Sequence, residues 1–182
     1  VRWYRKRNNV ILATLHSGEG MRLMSQRKAQ IIVSSDRILA GEKSNRAGEK
    51  AAEILRAHDI EVAPPSIVPE GFTPVDDALR TAVDTGTDIV VIIGGTGIGA
   101  TNLTPEVTER YIKARLYGLE TQVLLRGLES SPKAGLSRGI IGMTEHGGGS
   151  LIINCASSTG AVADALGVIA PLLADVFRSR GE

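Results

Sequence analysis

The segment from residue 87 to 106 restricts the fold of this chain more than any other. Five consecutive apolar, β-branched residues, 89 to 93, lead directly into Gly94-Gly95-Thr96-Gly97-Ile98-Gly99. Such a run is typical of a central parallel strand that helices cover on both faces. Thr104-Pro105-Glu106 then favours a helix start, with Thr104 as N-cap and Pro105 at the first helical position. The pattern predicts a buried strand, a glycine loop and a helix that begins near residue 105.

Apolar runs and segments of helical spacing alternate along the rest of the chain from Ala29. The predicted strands are 30–34, 60–68, 134–143 and 150–155. Because Pro64-Pro65 interrupts the second of them, that strand is predicted to lie at a sheet edge. The predicted helices are 44–58, 73–85, 118–127 and 157–178. Strands separated by helical stretches of about a dozen residues favour right-handed βαβ connections. The sequence therefore predicts an α/β fold, a three-layer sandwich with a mainly parallel sheet.

Four loops of this predicted sheet follow apolar strands: 34–41, 68–72, 94–104 and 154–160. In open α/β sheets, ligands bind in the crevice outside the carboxyl ends of the strands. We therefore expect the four loops to meet at one edge of the sheet and to form the ligand site there.

The composition disfavours several classes of protein. A chain of 182 residues is long enough for one domain with a sizeable core. No uninterrupted apolar run approaches the roughly 18 residues of a membrane span, so we expect a soluble protein. The single cysteine, Cys155, excludes an internal disulfide framework and a cysteine-based zinc site, and a reducing cytoplasm is the expected location. An aromatic content of 3% disfavours a stacking surface for single-stranded nucleic acid.

The net charge of +1 conceals an uneven distribution. Residues 1–28 carry seven basic side chains and one acidic side chain, so the remaining chain has a net charge of −5. A basic segment can bind nucleic acid, but this one has no helical or strand periodicity, which favours a disordered extension. We therefore divide the chain into an extension at 1–28, with Met21 or Met24 as a candidate start of the folded protein, and one domain at 29–182.

The glycine loop is a candidate phosphate site. Glycines allow the backbone to approach an anion closely, and N–H groups of the loop and of the following helix can donate to phosphate oxygens. No Lys-Ser or Lys-Thr pair follows it, which excludes a Walker A loop. Ala100 stands where the dinucleotide-binding motif needs its third glycine. A plain connection between strand and helix is the alternative.

Two further motifs suggest nucleophilic chemistry, and both have simpler interpretations. Residues 135–139 match the G-x-S-x-G pattern of a hydrolase nucleophile, but a predicted strand rather than a helix follows Ser137. Cys155 is a candidate thiol nucleophile, but the role of a small buried hydrophobic residue is favoured. The three histidines, His16, His58 and His146, have no other ligand at metal-binding spacing.

Three blocks together resemble the molybdopterin-binding family of molybdenum cofactor biosynthesis, which includes bacterial molybdopterin adenylyltransferases and a gephyrin domain. The blocks are Ser35-Asp36-Arg37 with Ala40-Gly41, Gly94-Gly95-Thr96-Gly97 with Thr104-Pro105-Glu106, and Leu136-Ser137-Arg138. The resemblance covers about residues 29–179. It implies the fold of that family, a homotrimer, a molybdenum-insertion protein as a partner, and transfer of AMP from Mg-ATP to molybdopterin with release of pyrophosphate.

The resemblance also implies roles for particular residues. Asp36 and Glu70 are the candidate Mg²⁺ ligands, and together with Asn102 they are the candidate catalytic residues. Ser35 and Asp36 would line the nucleotide side, and the glycine loop with the segment 155–159 would hold the pterin and its phosphate. The candidate substrate-binding residues are Ser35, Gly94, Gly95, Thr96, Gly97, Thr104, Ser137, Arg138, Ser157 and Ser158.

The chain departs from the family pattern at four places. Asn102 replaces the Asp of the usual Arg-Asp-x-Thr-Pro, Glu70 replaces the Asp of Pro-Asp, Asn45 replaces another Asp, and Ala156-Ser157 replaces Pro-Gly. Asn keeps the shape of Asp but is a weaker Mg²⁺ ligand. Three functions therefore stay open: a molybdopterin adenylyltransferase, a non-catalytic pterin-binding or carrier protein of the same fold, and a nucleic-acid-binding protein that uses the basic extension.

Overall fold

Seven strands form one sheet in residues 27–178, the part of the chain that the computed structural model describes. The strands are β1 (Lys28–Ser34), β2 (Glu61–Val62), β3 (Ser66–Val68), β4 (Ile89–Ile93), β5 (Ala114–Arg115), β6 (Ile141–Glu145) and β7 (Gly148–Cys155). The α-helices are α1 (Asp36–Leu39), α2 (Arg46–Arg56), α3 (Phe72–Asp84), α4 (Thr104–Glu109), α5 (Tyr117–Ser130), α6 (Thr159–Ile169) and α7 (Leu173–Arg178).

The strand order is β2-β1-β4-β7-β6-β5, and β3 also pairs with β1. β1 pairs in parallel with β2, β3 and β4, and β4 pairs in parallel with β7. β6 is antiparallel to both β7 and β5. Only two residues connect β6 to β7, which are too few for a parallel crossover. The prediction of a mainly parallel sheet is therefore confirmed. The strands that follow β1 lie first on one side of it and then on the other, so the topology reverses between β1 and β4.

Alternate side chains of the central strands pack into two separate apolar layers. Ile31 of β1 and Val91 of β4 face a core that α2 and α6 complete, with Leu55 and Leu166 fully buried in it. Ile32 of β1 faces the opposite core, which α3 and α4 complete. A sheet buried on both faces needs apolar residues at successive positions, which explains the uninterrupted run from Ile89 to Ile93. The three-layer prediction is confirmed.

The C-terminal helical segment Thr159–Arg178 is long and apolar enough to cross a membrane by length and composition alone. Core helices of globular proteins meet the same criterion. Here Leu166 and Ile169 are fully buried in the core beside the sheet, and a short 3₁₀ helix at Ala170–Leu172 separates α6 from α7. The predicted single helix at 157–178 is therefore interrupted near Pro171, which lacks a backbone N–H.

The structure also corrects the start of a predicted strand and the start of the domain. The predicted strand at 134–143 is wrong in its first half, because Pro132–Leu136 forms a 3₁₀ helix that Ser131 caps through a hydrogen bond from the Lys133 N–H. At the other end of the domain, Lys28 already belongs to β1. Arg27 pairs with Asp88 at 3.5 Å and lies over the Phe177 ring at 4.0 Å, so residues 27 and 28 join the domain. The rest of the predicted basic extension lies outside the described residues.

Candidate functional site

A cavity of about 460 Å³ opens at the carboxyl ends of the parallel strands, at the point where the sheet topology reverses. Each of the four predicted loops contributes to its wall, which confirms that they meet at one edge. The lining residues include Ser34, Ser35 and Arg37 after β1, Glu70 after β3, Gly95 and Asn102 after β4, and Ser157, Ser158 and Thr159 after β7.

The glycine loop enters the site between the ends of β1 and β7. The N–H of Gly94 donates to the backbone oxygen of Cys155 at 2.9 Å. Gly94 has a φ of 97°, and a Cβ at this position would lie 2.7 Å from the backbone oxygen of Ser34. Only glycine fits between the two strands in this conformation. The start of the loop is therefore fixed by the sheet itself.

Thr104 holds the glycine loop through a side-chain hydrogen bond and does not cap α4. The N-cap of α4 is Leu103, without a side-chain hydrogen bond, so the prediction of Thr104 as N-cap is wrong. The Thr104 hydroxyl donates to the backbone oxygen of Gly94 at 2.7 Å and accepts from Nδ2 of Asn154 at 3.0 Å. Pro105 and Glu106 do occupy the first turn of α4. Thr104 is fully buried, so its role is to hold the loop on β7.

Hydrogen bonds connect the loops that carry the two candidate metal ligands. Ser35 caps α1 by accepting from the Ile38 N–H at 3.4 Å, which places Asp36 in the first turn. Oδ1 of Asp36 accepts from the backbone N–H of Glu70 at 3.0 Å. Oε2 of Glu70 accepts from the Thr101 hydroxyl at 3.0 Å. Three loops are thus connected through two carboxylates.

The donor set fits a magnesium ion that enters with a phosphate-bearing substrate. Residues 27–178 contain no group of three or more His, Cys, Asp or Glu side chains that could hold a metal. Mg²⁺, however, commonly binds through one or two carboxylates and substrate phosphates. Glu70 is half-buried and lines the cavity, whereas Asp36 is exposed and lies beside it, outside the lining residues. Each carboxylate keeps an oxygen that makes no hydrogen bond among the described residues.

Positive charge dominates the cavity wall. Arg37, Lys43 and Arg46 line it, against the single carboxylate of Glu70. Arg37 lies 3.6 Å from Glu42, whereas Lys43 and Arg46 have no ion-pair partner among residues 27–178. Clustered cations in a cleft attract an anionic ligand even when the remaining surface carries net negative charge.

Lys43 and Arg46, together with Ser44, are site residues that the sequence analysis did not identify. The predicted helix 44–58 included two of them, but α2 begins only at Arg46. Asn45 is its N-cap, and Oδ1 of Asn45 accepts from the Gly48 N–H at 3.0 Å. Asn and Asp are equally good N-caps. The replacement of the family's Asp by Asn45 therefore preserves the helix start.

A buried hydroxyl group and a helix start complete the wall. Ser34 is only 3% exposed, and its Oγ has no hydrogen-bond partner among the described residues. Because buried polar groups are almost always paired, this hydroxyl is available to a ligand. Across the cavity, Ser158 caps α6 by accepting from the Ala161 N–H at 3.0 Å. The N-terminus of this 11-residue helix, which Ser157 and Thr159 flank, favours negative charge.

Ser137 and Arg138 lie on the other side of the glycine loop and are not among the residues that line the cavity. The Ser137 hydroxyl donates to Oγ1 of Thr96 at 3.1 Å. The Arg138 guanidinium donates to the backbone oxygens of Gly97 and Asn102 and pairs with Glu106. The hydrogen bond from Arg138 lowers the pKa of Glu106. Both residues were predicted to bind substrate, but neither lines the cavity, and both contact the glycine loop instead.

Cys155 is not an activated thiol. It is buried at the end of β7, and burial raises the pKa of its thiol to about 12. The thiolate is the nucleophilic form, and a thiol with this pKa carries almost no thiolate at neutral pH. The structure thus favours the role of a small buried hydrophobic residue.

A three-layer α/β domain with a glycine loop and a basic cavity at its topological switch point defines a class of proteins that bind anionic small molecules. Residues 30–175 match the family model described as "Probable molybdopterin binding domain". The chain therefore belongs to the molybdopterin-binding-domain family of molybdenum cofactor biosynthesis, as the sequence motifs indicate.

Solved structures of relatives share the fold over nearly their whole length. A protein from Corynebacterium diphtheriae assigned to molybdenum cofactor biosynthesis is 38% identical, with a TM-score of 0.78 over 86% of this chain and 99% of that chain. The molybdopterin biosynthesis Mog protein from Mycobacterium ulcerans is 33% identical, with a TM-score of 0.76 over 85% of this chain and 99% of that chain.

The curated relatives are longer proteins. A molybdenum cofactor biosynthesis bifunctional protein from Chlorobaculum tepidum is 29% identical over 153 residues, which are 82% of this chain and 47% of the relative. The chain thus spans about half the length of this relative, and 24% of the length of gephyrin from Dictyostelium discoideum. The similarity to these proteins concerns the domain described here.

Proposed function

We propose that this domain binds molybdopterin and transfers AMP to it from Mg-ATP. The observation that carries the proposal is the basic cavity at the switch point, where Arg37, Lys43 and Arg46 face the loop that begins at Gly94. Molybdopterin and ATP both bear phosphates, so a site that joins them has to accommodate several negative charges. The family model supports molybdopterin as the ligand, and the resemblance of the sequence motifs implies ATP as the second substrate.

The reaction requires little covalent chemistry from the protein. An oxygen of the terminal phosphate of molybdopterin attacks the α-phosphorus of ATP, the bond between the α- and β-phosphates breaks, and pyrophosphate leaves with its electrons. Catalysis of such transfers depends on positioning and on neutralisation of charge. The cations of the cavity, the Ser34 hydroxyl and the N-terminus of α6 are the groups of this chain that we assign to that task.

Asp36 and Glu70 are the residues that we propose to hold Mg²⁺. The metal would neutralise charge on the triphosphate and on the pyrophosphate that leaves. The hydrogen bond between Asp36 and the Glu70 N–H keeps the loops of the two carboxylates together before any ligand binds.

One observation favours the second candidate function, a non-catalytic pterin-binding or carrier protein. Asn102 stands where the family has an Asp, and it lines the cavity. Oδ1 of Asn102 also lies against the glycine loop, 2.6 Å from where a Cβ on Gly97 would stand. A neutral amide can shape the loop and bind a ligand, but it contributes no charge to a metal site.

Incubation of the purified chain with molybdopterin and Mg-ATP distinguishes the two functions. Adenylyl-molybdopterin is quantified by chromatography and pyrophosphate by an enzyme-coupled assay. Equal amounts of both products above a no-enzyme control are the expected result. Retention of molybdopterin without either product would support the carrier function, and failure to retain the pterin would contradict both.

A matched pair of variants assigns any activity to the cavity. Arg46→Ala removes one lining cation, whereas Arg80→Ala removes an arginine that pairs with Asp77 on the exposed face of α3. At subsaturating substrate, we expect the first variant to form product more slowly than the wild type and the second to form it at the wild-type rate. Equal activity of the two variants would argue that the reaction does not take place in this cavity.

The other implications of the family resemblance stay predictions. A homotrimer is tested by sedimentation equilibrium, a molybdenum-insertion partner by transfer of the product to such a protein, and a cytoplasmic location by cell fractionation. Nucleic-acid binding through residues 1–28 predicts salt-sensitive binding that disappears when the segment is removed.

A further inference from the structure

The G-x-S-x-G segment at residues 135–139 has no part in the proposed chemistry, yet Arg138 makes more hydrogen bonds to the glycine loop than any other side chain among the described residues. From these contacts we infer that Arg138 is a positioning residue, which braces the crown of the loop, residues 97–102, in the shape that receives the ligand. The assignment of a ligand to this loop rests on the proposed function.

The contacts of the Arg138 guanidinium span both ends of the crown. Nε and Nη2 donate to the backbone oxygen of Gly97 at 3.0 and 2.8 Å. Nη2 also donates to the backbone oxygen of Asn102 at 2.6 Å. Nη1 pairs with the carboxylate of Glu106 in the first turn of α4. One planar group thus joins the start of the crown, its end and the helix that follows.

Arginine is suited to this task and lysine is not. The guanidinium presents five N–H donors in a rigid fork, whereas an ammonium is a single point of charge on a flexible stem. The fork lets Arg138 bind two backbone oxygens and one carboxylate from separate nitrogens, whereas the three donors of an ammonium all leave from one nitrogen. This difference in geometry makes the conservative substitution a test of the role.

The segment that carries Arg138 is itself held by hydrogen bonds on two sides. The backbone N–H of Arg138 donates to the oxygen of Thr96 at 3.0 Å, which adds to the Ser137–Thr96 hydrogen bond. On the other side, the Asn154 N–H donates to the oxygen of Ile140 at 2.9 Å. A Cβ at Gly139 would collide with the backbone oxygen of Asn154, so only glycine allows the segment to lie this close to β7.

Besides Arg138, the crown is held by the Thr101–Glu70 hydrogen bond and by a turn hydrogen bond from the Asn102 N–H to the oxygen of Gly99 at 3.0 Å. Gly97 and Gly99 flank Ile98, whose side chain is 82% exposed. Glycine-rich loops lose more conformational entropy when they become ordered than other loops do. Within the described residues, no core side chain packs on Ile98, whereas Arg138 contacts backbone oxygens directly. Without the guanidinium, we expect the backbone donors of the loop to lose their preorganised arrangement.

Hydrogen exchange on the free protein provides a test that needs no substrate. Wild type, R138A, R138K and the control R80A are compared for amide exchange in residues 96–103, with exchange in the buried strand β4 as the internal reference. We expect faster exchange in the loop of both Arg138 variants, and unchanged exchange in R80A and in β4. An unchanged loop in R138A and R138K would overturn the inference. If R138A does not fold, R138K provides the same comparison.

Molybdopterin binding then separates a brace from a direct charge contact with the ligand. If Arg138 only supplied charge, R138K would keep the affinity of the wild type, and that result would overturn the inference. As a brace, Arg138 cannot be replaced by Lys, and we expect both variants to lose affinity or kcat/KM by on the order of 10²-fold, as small displacements of binding groups do.

The two proposals can fail separately. Faster loop exchange in the Arg138 variants, combined with no molybdopterin binding by the wild type, would contradict the proposed function and support the brace. Normal adenylyl transfer by R138K, combined with wild-type exchange in its loop, would support the proposed function and contradict the role of Arg138 as a positioning residue.

Discussion

The carboxylate of Asp36 accepts a hydrogen bond from the backbone N–H of Glu70 at 3.0 Å. This bond joins the loop after β1 to the loop after β3, and the Glu70 carboxylate extends the connection to Thr101 after β4. The two carboxylates that we propose as Mg²⁺ ligands are therefore also structural links between loops. Their contributions of shape and of charge can be separated by substitution.

Asp36→Asn keeps an oxygen that can accept from Glu70 but removes the negative charge. We expect the melting temperature to change little, because Asp36 is exposed and surface substitutions usually alter stability by less than about 0.5 kcal/mol. The transfer rate is expected to fall by on the order of 10²-fold, as for the loss of a group that stabilises transition-state charge. Rates measured over a range of Mg²⁺ concentrations check this prediction, and a wild-type rate at every concentration would exclude Asp36 as a metal ligand.

Lys43→Ala and Arg46→Ala are each expected to weaken ATP or molybdopterin binding by about 10- to 100-fold, because a hydrogen bond to a charged group contributes about 1.5–3 kcal/mol. Isothermal titration at low and at raised salt concentration measures the effect, and the loss should be smaller at raised salt because exposed charges are screened. Lys50→Ala is the matched control, since Lys50 lies on the same helix as Arg46 but pairs with Glu53. Equal losses for Lys50 and Lys43 would point to a general effect of net charge.

The fold was predictable from sequence wherever one local pattern sufficed. The run from Ile89 to Ile93 has no polar residue, and a strand in the middle of a sheet with two covered faces explains it. The conformation of segment 134–140 was not predictable. Its apolar residues suggest a strand, but Ser131 and Pro132, which precede it, start a 3₁₀ helix. A local cap competes there with a weak strand pattern, and the cap determines the structure.

The candidate site was predictable in part, and the missing part depends on contacts between distant residues. Asp36 and Gly95 follow apolar strands, so their positions at the sheet edge could be expected. Lys43 and Arg46 belong to no motif. The helical spacing of the following residues does not show that α2 begins only at Arg46, with Lys43 in the loop before it, so that both line the cavity. Thr104 has the residue type of an N-cap, but its hydroxyl bonds to Gly94, ten residues away in sequence.

Thr104→Val is expected to destabilise the domain more than Thr108→Val does. Both hydroxyls lie on α4 and both residues are fully buried. The Thr104 hydroxyl bonds to two groups outside the helix, whereas the Thr108 hydroxyl donates at 2.8 Å to the oxygen of Thr104 in the same helix. Loss of the Thr104 hydroxyl leaves the buried Gly94 oxygen without this donor and removes one of the two hydrogen bonds that Nδ2 of Asn154 donates, the other being to the Ile92 oxygen at 3.5 Å. An unpaired buried polar group costs about 1–3 kcal/mol. Urea unfolding of the two variants checks the order, and equal midpoints would contradict it.

Asn102→Asp introduces the carboxylate that the family pattern has at this position. If Mg²⁺ binds within reach of residue 102 during transfer, the added charge lowers the Mg²⁺ concentration needed for half-maximal rate. We expect this decrease, together with weaker binding of molybdopterin in the absence of Mg²⁺ because like charges repel. Transfer assays over a Mg²⁺ titration measure the first effect and pterin retention measures the second. Unchanged turnover at every Mg²⁺ concentration would show that residue 102 is not a metal ligand here.

The ion pair between Glu106 and Arg138 predicts a pH dependence of stability. The hydrogen bond from Arg138 lowers the pKa of Glu106 from its usual 4.5 in the folded state. A carboxylate with a lowered folded-state pKa stabilises the protein fully above its unfolded-state pKa, and this contribution is lost as the pH falls through the folded-state value.

Comparison of wild type with Glu106→Gln isolates this contribution from the other carboxylates of the protein. At neutral pH the wild type is expected to melt at the higher temperature, by a small margin because Glu106 is 41% exposed and solvent screens the pair. The margin should shrink as the pH falls below 4.5, since the protonated carboxyl group then resembles the amide. Melting temperatures of both proteins across this range check the prediction. A margin that stays constant into the acidic range would mean that Glu106 contributes through packing and not through its charge.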